Sequence, residues 1–326
     1  MTSYAQHYQR YKSLVDEQLR RCITKSEPRS LYGPARYVLS GGGKRIRPLL
    51  VMLACEAVGG TIRQAVPAAV AIEILHNFTL VHDDIMDNAS SRRGRATVHK
   101  RWDTNIAILV GDELVAIAYR ELLKTQSPRI ARVVDIFTEG VVDVCEGQAY
   151  DKDFESRKRV TLNEYLLMIG KKTGKMVSVA SEMGAVIGGG TGSEIKALRL
   201  YGTNVGRAFQ IQDDLLDVIA DEKAFGKTIG GDIVEGKKTF LLIEAFARAR
   251  GADKELLRTI IARRGVSRKH IPAVREIYER YGVIDLAKKS IGKNIIQANV
   301  QLSRLRKSPA REMLYWFSHM LLNRSF

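Results

Sequence analysis

Residues 65–87 read AVPAAVAIEILHNFTLVHDDIMD, and this stretch decides the class of fold. Apolar side chains recur every three or four positions from Val70 to Val81, which is the period of an α-helix with a wide buried face. Pro67 suits the first turn of such a helix because its nitrogen has no hydrogen to donate. The stretch ends in a cluster of three aspartates, so the predicted helix carries acid at its carboxyl end.

The same helical spacing continues through most of the chain and predicts an all-α protein. Clear patterns cover Ile130–Ala149, Leu162–Met168, Lys175–Ile187, Glu194–Ile219 and Thr239–Ala247. The breaks coincide with glycine clusters at 41–43, 59–60, 188–190 and 230–231. Alternating β patterns are scarce, and no shift of composition marks a boundary. We therefore predict a single domain over 1–326, built as one large helical bundle.

The chain has 326 residues and a formal net charge of +16, which indicates either a solvated basic surface or an anionic partner. Nucleic acid, an anionic membrane and a polyanionic substrate all fit the charge, but no nucleic-acid-binding motif supports the first. Three widely spaced cysteines without a CxxC pair indicate a reducing compartment. The amino terminus lacks a signal-peptide core, and no apolar run of about 18 residues is present. We expect a cytoplasmic protein without a membrane span.

Two acidic clusters share the pattern DDxxD. They are Asp83-Asp84-Ile85-Met86-Asp87 and Asp213-Asp214-Leu215-Leu216-Asp217. On a helix, residues four apart are rotated by only about 40°, so the first and third aspartates of each cluster share a face. A hard divalent cation such as Mg²⁺ relieves the repulsion between such carboxylates. One cluster alone could be a solvated acidic face, but two copies in apolar helices favour a magnesium site that includes substrate phosphates.

Cationic residues stand beside glycines near both clusters. The groups are Gly41-Gly42-Gly43-Lys44-Arg45-Ile46-Arg47, Arg92-Arg93-Gly94, Lys171-Lys172-Thr173-Gly174, Lys227 and Lys237. Each group alone could be a surface charge run, but their repeated position beside acids and glycines favours binding of diphosphates. Residues 231–237 also spell GxxxxGK. Lys238 follows where a nucleotide-binding P-loop needs Ser or Thr, so a P-loop is disfavoured.

In this order, the motifs GGGKRIRP, EILHNFTLVHDDIMD, RRG, KKTG, FQIQDDLLD and GKTIGGDI resemble the trans-isoprenyl diphosphate synthases, above all the geranylgeranyl and farnesyl diphosphate synthases. The resemblance implies a homodimer of isoprenoid-synthase bundles, each with a central apolar cavity. It implies head-to-tail condensation of isopentenyl diphosphate with an allylic diphosphate, with Mg²⁺ as cofactor and three ions present when substrate is bound. Terpene cyclases typically replace the second DDxxD, and a non-catalytic partner subunit usually lacks one cluster, so both are less favoured.

The resemblance also implies a role for each matching residue. Isopentenyl diphosphate would be held by Lys44, Arg47, His76 and Arg93. The allylic diphosphate would be held by Arg92, Lys172, Thr173, Gln210, Lys227 and Lys237. Magnesium would be bound by Asp83, Asp87 and Asp213, and the catalytic set would add Asp84, Asp214, Asp217 and Lys172. Ala96 departs from the proline that many relatives have after RRGx, and we expect a small effect on that loop.

Two residues of the first motif imply the length of the product. In relatives, a bulky residue four or five positions before the first aspartate closes the floor of the cavity. Thr79 and Phe78 hold those positions, and Phe78 lies about 7.5 Å along the helix from Asp83 and is rotated by about 140°. We expect a C20 product, geranylgeranyl diphosphate, with C15 farnesyl or C25–C40 products as alternatives.

The carboxyl-terminal segment is apolar with flanking cations. Met313–Phe317 and Met320–Leu322 could form a basic amphipathic helix at a membrane surface or a helix that closes the core. We expect the core helix.

Overall fold

The protein is described by a computed structural model that covers residues 4–219 and 229–322, with side chains up to residue 320. The α-helices are α1 (Tyr4–Arg21), α2 (Arg29–Leu39), α3 (Ile46–Ala57), α4 (Ile62–Met86), α5 (Val98–Arg101), α6 (Thr104–Leu122), α7 (Ile130–Ser156), α8 (Leu162–Ile169), α9 (Lys175–Ile187), α10 (Gly192–Ile219), α11 (Gly231–Val234), α12 (Phe240–Arg248), α13 (Gly251–Arg263), α14 (Ile271–Arg280), α15 (Val283–Leu302) and α16 (Pro309–Leu322). In the described ranges, the only sheet is the antiparallel hairpin of β1 (Ser91–Arg92) and β2 (Arg95–Ala96). The predicted all-α class is confirmed.

Helix α4 begins at Ile62, three residues before the predicted start. Thr61 caps it, because its backbone N–H donates to Gln64 Oε1 at 2.9 Å in a capping box. Pro67 therefore lies one turn further into the helix than its position in the sequence pattern indicated. The helix packs against α3 and α6, and its middle is buried on all sides, as expected for a helix that is apolar around its circumference.

The other predicted helices are present, α9 with the predicted bounds, α12 displaced by one residue and the rest longer. α7 continues past the predicted end at Ala149 to Ser156, and α10 begins two residues earlier than predicted, at Gly192. The KKTG segment is a π-helical turn, Gly170–Gly174, that runs directly into α9. Such turns are typical of functional segments, because the extra residue displaces the side chains around it.

Gly147 of α7 explains how this π-helical turn approaches the helix beside it. A Cβ atom at Gly147 would lie 2.3 Å from the backbone nitrogen of Lys172, which is closer than two atoms can pack. Glycine is thus required for the backbone of the turn to lie directly on α7. This contact fixes the position along α7 from which the side chains of Lys172 and Thr173 project.

Contacts divide the chain into two compact units. The first comprises the chain up to Val141, Val179–Arg199 and Arg304–Leu314, and the second comprises Val142–Ser178, Leu200–Ser303 and the chain from Tyr315. In the first unit, α3 and α9 come close enough that a Cβ at Gly184 would lie 2.2 Å from the Val51 carbonyl oxygen. The second unit has a contiguous apolar core drawn from α7, α8, α10 and α12–α15. The single domain remains a prediction.

Two expectations about membranes can be compared with this fold. By length and composition alone, α4 is apolar enough to cross a membrane, but most of its apolar window is buried, as in a core helix. In α16, Met313, Leu314 and Phe317 are buried, so its apolar face packs inside the protein. The burial agrees with the core helix that we expected at this end of the chain.

Candidate active site

The first acidic cluster lies at the carboxyl end of α4. The backbone N–H of Asp87 donates to the Asp83 carbonyl at 2.8 Å, so these residues are one helical turn apart and share a face, as predicted. Asp84 lies on the inner side, where it is buried, and its Oδ1 accepts from Arg92 Nε at 2.6 Å. Burial raises the pKa of Asp84, and Arg92 opposes that rise.

Arg92 reaches Asp84 because a tight hairpin carries it. Arg93 and Gly94 form the turn with φ of +53° and +73°, the conformation that a two-residue hairpin of right-handed twist needs. The Arg93 guanidinium donates to the Gly42 carbonyl, which stabilises this unusual backbone for a non-glycine residue. Tyr37 supports the hairpin from α2, since its hydroxyl donates to the Ala96 carbonyl at 2.8 Å. The hairpin thus forms with alanine at position 96.

Arg45 anchors the glycine-rich loop before α3. Its guanidinium is buried and donates to Asp16 Oδ1, Glu73 Oε1 and the Gly41 carbonyl, each at 2.7 Å. Its φ of +49° turns the chain into the helix, and the three hydrogen bonds stabilise that backbone. The neighbouring cations Lys44 and Arg47 are therefore fixed by a residue to which the sequence assigned no role.

Two of the residues predicted to hold isopentenyl diphosphate, Arg47 and Arg93, lie near His76. Lys44 is exposed, Arg47 is half-buried, and the guanidinium groups of Arg47 and Arg93 are near enough to act on the imidazole. Burial and then Arg47, Arg93 and Arg92 lower the pKa of His76 well below its usual value. A neutral imidazole can donate a hydrogen bond to an anion without adding another positive charge that would repel the neighbouring guanidinium groups.

The second acidic cluster lies near the end of α10. Asp214 is buried; its Oδ2 accepts from the Tyr165 hydroxyl at 2.6 Å and from Phe240 N at 3.2 Å, and its Oδ1 accepts from Gln210 Nε2 at 3.0 Å. Burial nevertheless raises the pKa of Asp214 to about 6. Gln210, predicted as a substrate ligand, is thus engaged with Asp214 in this structure.

A further carboxylate, not identified from the sequence, adjoins this cluster. The backbone N–H of Asp232 donates to Asp217 Oδ2 at 3.0 Å. Burial, then Asp217 and Asp214, raise the pKa of Asp232 well above its usual value, and burial also raises that of Asp217. The GGDI motif contains Asp232, but only the packing of α11 on α10 reveals its place beside the cluster.

The lysines predicted to hold the allylic diphosphate are paired with carboxylates. Lys172 Nζ lies 2.6 Å from Asp151 Oδ2, and Lys237 Nζ lies 2.9 Å from Glu235 Oε2 and 3.8 Å from Asp232 Oδ1. Thr173 is half-buried in the π-helical turn. Lys227 lies outside the described residues.

The chemistry of these donors fits magnesium. Burial disfavours the ionised form of these aspartates and raises their pKa values, and a nearby cation would stabilise that form. Carboxylate oxygen is also a ligand type that suits Mg²⁺. Among the residues that the structure describes, no three His, Cys, Asp or Glu side chains are grouped closely enough to hold an ion by themselves. An ion here would thus complete its shell with oxygens from water and from a bound phosphate.

The predicted chain-length residues lie one turn before the first acidic cluster. Phe78 is half-buried, and its ring meets that of His82 edge to face with centroids 4.8 Å apart. The His82 ring in turn lies against α6, where a Cβ at Gly111 would be 2.0 Å from Nε2. The Thr79 hydroxyl donates to the His76 carbonyl at 2.8 Å.

The chain is similar to known proteins over most of its length. The sequence profile of the polyprenyl synthetase family matches residues 28–279. A short chain isoprenyl diphosphate synthase of Methanothermobacter thermautotrophicus is 40% identical over 316 residues, covering 97% of each chain. A geranylgeranyl diphosphate synthase of Methanosarcina mazei is 37% identical over 96% of each chain. The crystal structure of geranylgeranyl pyrophosphate synthetase from Pyrococcus horikoshii matches with a TM-score of 0.93 at 40% identity, covering 98% of this chain and 99% of that one.

The Arg45 anchor makes a prediction about stability. In Arg45→Met, Glu73 would stay buried without its cation, and we expect a loss of about 3–5 kcal/mol in the free energy of unfolding, measured by urea denaturation. Arg29→Met removes an exposed ion pair with Glu27 and should change stability by less than about 1 kcal/mol. A loss in Arg45→Met no larger than that of the control would contradict the anchor.

Asp214 makes a prediction about pH. Its pKa in the folded protein is above that of an unfolded chain, so its ionisation weakens the fold as the pH rises through about 6. Asp214→Asn removes that charge; its amide oxygen can accept from Tyr165 and Phe240, and its amide nitrogen can donate to a flipped Gln210. Without metal or substrate, the Tm of the variant should exceed that of the wild type at pH 8 but not at about pH 4.

Asp285→Asn serves as the control for this titration, since the Asp285 side chain is exposed. Its Tm should follow that of the wild type at both pH values. A Tm of Asp214→Asn that stays below the wild type throughout would mean that the hydrogen bonds of the carboxylate outweigh the penalty of its burial.

Proposed function

The chain belongs to the polyprenyl synthetase family, and on that premise we propose that it is a magnesium-dependent prenyltransferase. It condenses isopentenyl diphosphate head-to-tail with an allylic diphosphate, and its main product is geranylgeranyl diphosphate, with twenty carbons. The observation that carries this proposal is the pair of aspartate clusters, each at the carboxyl end of a long apolar helix and each with one buried, hydrogen-bonded aspartate.

Departure of the allylic diphosphate is the step that needs most stabilisation. Bound Mg²⁺ supplies positive charge against the negative charge that grows on the diphosphate as its bond to carbon breaks. Asp83, Asp87 and Asp213 would hold these ions. Arg92 and Lys172 now contact carboxylates, and they can turn to diphosphate oxygens, which are the stronger acceptors for a charged donor.

Isopentenyl diphosphate would occupy the cationic group around His76. Arg47 and Arg93 can each grip phosphate oxygens with two N–H groups, while Lys44 contributes a mobile point charge. The low pKa of His76 means that its neutral ring can donate one hydrogen bond to the same anion. Fixing this diphosphate directs the double bond of the substrate at the allylic carbon.

The last step is loss of a proton from the new carbocation. His76 is assigned to the diphosphate of isopentenyl diphosphate and not to this step. We assign the proton instead to the diphosphate that has just departed. The protein then needs only to hold the two partners and keep water away from the cation.

Further assignments follow from the same family. We propose a homodimer, supported by the exposed aliphatic side chains Ile108 and Leu109 on α6, which are 42% and 53% accessible. We propose a cytoplasmic enzyme without a membrane span, supported by the burial of α4. We assign the diphosphates, rather than nucleic acid, as the anionic partners, and the support is that Arg92 stands beside an aspartate of the cluster proposed to bind metal.

The proposal predicts an absolute metal requirement. A chelator should abolish turnover of labelled isopentenyl diphosphate, and added Mg²⁺ should restore it. Asp83→Ala and Asp213→Ala should each lower kcat by at least about a hundredfold, because metal stabilisation of the departing charge is worth several kcal/mol. Asp285→Ala is the matched control on an exposed helical turn. Near-normal turnover in either active-site variant would refute the role of that cluster.

A second prediction concerns product length. Phe78→Ala should yield products longer than twenty carbons, because it removes the ring that we propose as the floor of the product cavity, and Thr79→Phe should yield shorter ones. Full burial would make the loss of the ring cost about 3–5 kcal/mol, and half-buried Phe78 should cost less. Chromatographic sizing of the products provides the measurement.

Phe246→Ala is the control for this series, since Phe246 is a half-buried ring packed on the core of the second unit. It should lower stability and leave the product length unchanged. If Phe78→Ala gives the wild-type products, another side chain forms the floor.

A further inference from the structure

Helix α15 has one buried face and one exposed face of unusual composition. The buried face packs into the core through Val283, Ala287, Ile291, Ile295, Ala298 and Leu302. The exposed face carries Lys289, Lys293, Ile296 and Val300, at successive intervals of four, three and four residues. At 100° per residue these four side chains fall within about 60° of one another, so they form a single line along the helix. We refer to this line of four side chains as the α15 stripe.

The aliphatic half of the stripe is unusually accessible. Ile296 is 66% exposed, more than any other large apolar side chain in the described part of the chain, and Val300 is 51% exposed. Single exposed aliphatic residues are common on soluble proteins, but these two are adjacent on one face. They form an apolar ridge that the rest of the second unit does not cover.

The other half of the stripe is cationic. Among the described residues, Lys289 and Lys293 form no ion pair within 4 Å, and Asp285, the one acid in the sequence of α15, lies 3.8 Å from Lys288. The helix is followed in the sequence by Arg304, Arg306 and Lys307, and the whole chain carries a net charge of +16. The exposed face therefore attracts an extended anionic surface.

The composition of the stripe distinguishes between possible partners. A second copy of the chain suits the stripe less well, because it also carries a net charge of +16 and would bring further positive charge against Lys289 and Lys293. Nucleic acid would gain nothing from Ile296 and Val300. A membrane satisfies both halves, since the lysines can extend to the phosphates while the aliphatic side chains enter the boundary with the acyl chains.

We propose that the α15 stripe docks the protein on an anionic membrane surface. Lys289 and Lys293 contact lipid phosphates, and Ile296 and Val300 insert below them. The contact is peripheral and reversible, because its apolar area is small and its attraction is partly electrostatic. It places an enzyme with a water-soluble fold next to the phase into which a long isoprenoid chain partitions. This last benefit depends on the proposed function, but the docking itself does not.

Sedimentation with vesicles tests the docking without reference to catalysis. The full-length protein is mixed with vesicles of phosphatidylcholine alone, or of phosphatidylcholine with phosphatidylglycerol, at low and high salt. We expect binding to the anionic vesicles that weakens at high salt, and little binding to the neutral ones. The charge-reversal variant Lys289→Glu/Lys293→Glu and the polar variant Ile296→Ser/Val300→Ser should each weaken anionic binding by about tenfold or more.

Matched controls lie elsewhere on the surface. Leu167→Ser replaces an apolar side chain that is 50% exposed, close to Val300, and Lys196→Glu/Arg199→Glu reverses two exposed cations on α10. Both controls should bind anionic vesicles within about threefold of the wild type, since they leave the stripe unchanged and alter only the net charge or the exposed apolar area. Losses as large as those of the stripe variants would indicate a general effect of charge or apolar area and overturn the proposal.

Three other outcomes would also overturn it. The wild-type protein could fail to bind the anionic vesicles, or could bind neutral ones equally well. Alternatively, Ile296→Ser/Val300→Ser could change the oligomeric state, measured by light scattering, while vesicle binding stays intact, which would assign the stripe to a protein interface. Turnover of soluble primers by the stripe variants, measured in parallel, shows that they are folded. If the wild type has no such activity, the proposed function fails and the vesicle result still stands.

Discussion

The site depends on how an apolar helix tolerates buried carboxylates. In both clusters the second aspartate points inward, and burial raises its pKa. The two solutions differ, because Asp84 has the cation of Arg92 as its partner whereas Asp214 has only the neutral donors of Tyr165, Gln210 and Phe240. A helix that holds its second aspartate in this way leaves the first and third on the outer face. The DDxxD spacing thus puts the buried second aspartate on one side of the helix and the first and third aspartates, which could bind a metal, on the other.

The lysines predicted to hold a diphosphate are paired with carboxylates. Lys172 is paired with Asp151 and Lys237 with Glu235, so at the proposed site the binding of a diphosphate would exchange one anionic partner for another. Such an exchange contributes less affinity than the binding of an unpaired cation, since the existing ion pair must first be broken. It contributes orientation instead, because the cation stays at the site in both states. The Arg45 anchor acts similarly by fixing the backbone of the loop from which neighbouring cations project.

Periodicity predicted the helices well, because a chain with few prolines and a regular apolar pattern has few competing structures. It placed the start of α4 too late, since the Thr61 cap lies outside the apolar pattern that marked the helix. The roles of Tyr165 and Asp232 depend on contacts between helices, and no local pattern encodes them. The same limit applies to amphipathic segments. The composition of the carboxyl-terminal helix fitted either a surface helix or the expected core helix, and only the burial of Met313, Leu314 and Phe317 favours the core; the exposed aliphatic residues of α15 were not singled out by any pattern.

Product length illustrates why a rule based on one position is incomplete. The rule assigns the floor to Phe78, but in the structure this ring rests on His82, and His82 occupies space that exists only because residue 111 is glycine. A larger residue at 111 would displace the imidazole, and the imidazole would displace the phenyl ring, without any change in the motif that carries the aspartates. If Phe78 forms the floor, as we propose, the depth of the cavity would be a property of the contact between α4 and α6. Two enzymes with the same residue five positions before the first aspartate can then differ in product length, because the neighbouring helix sets the position of the ring.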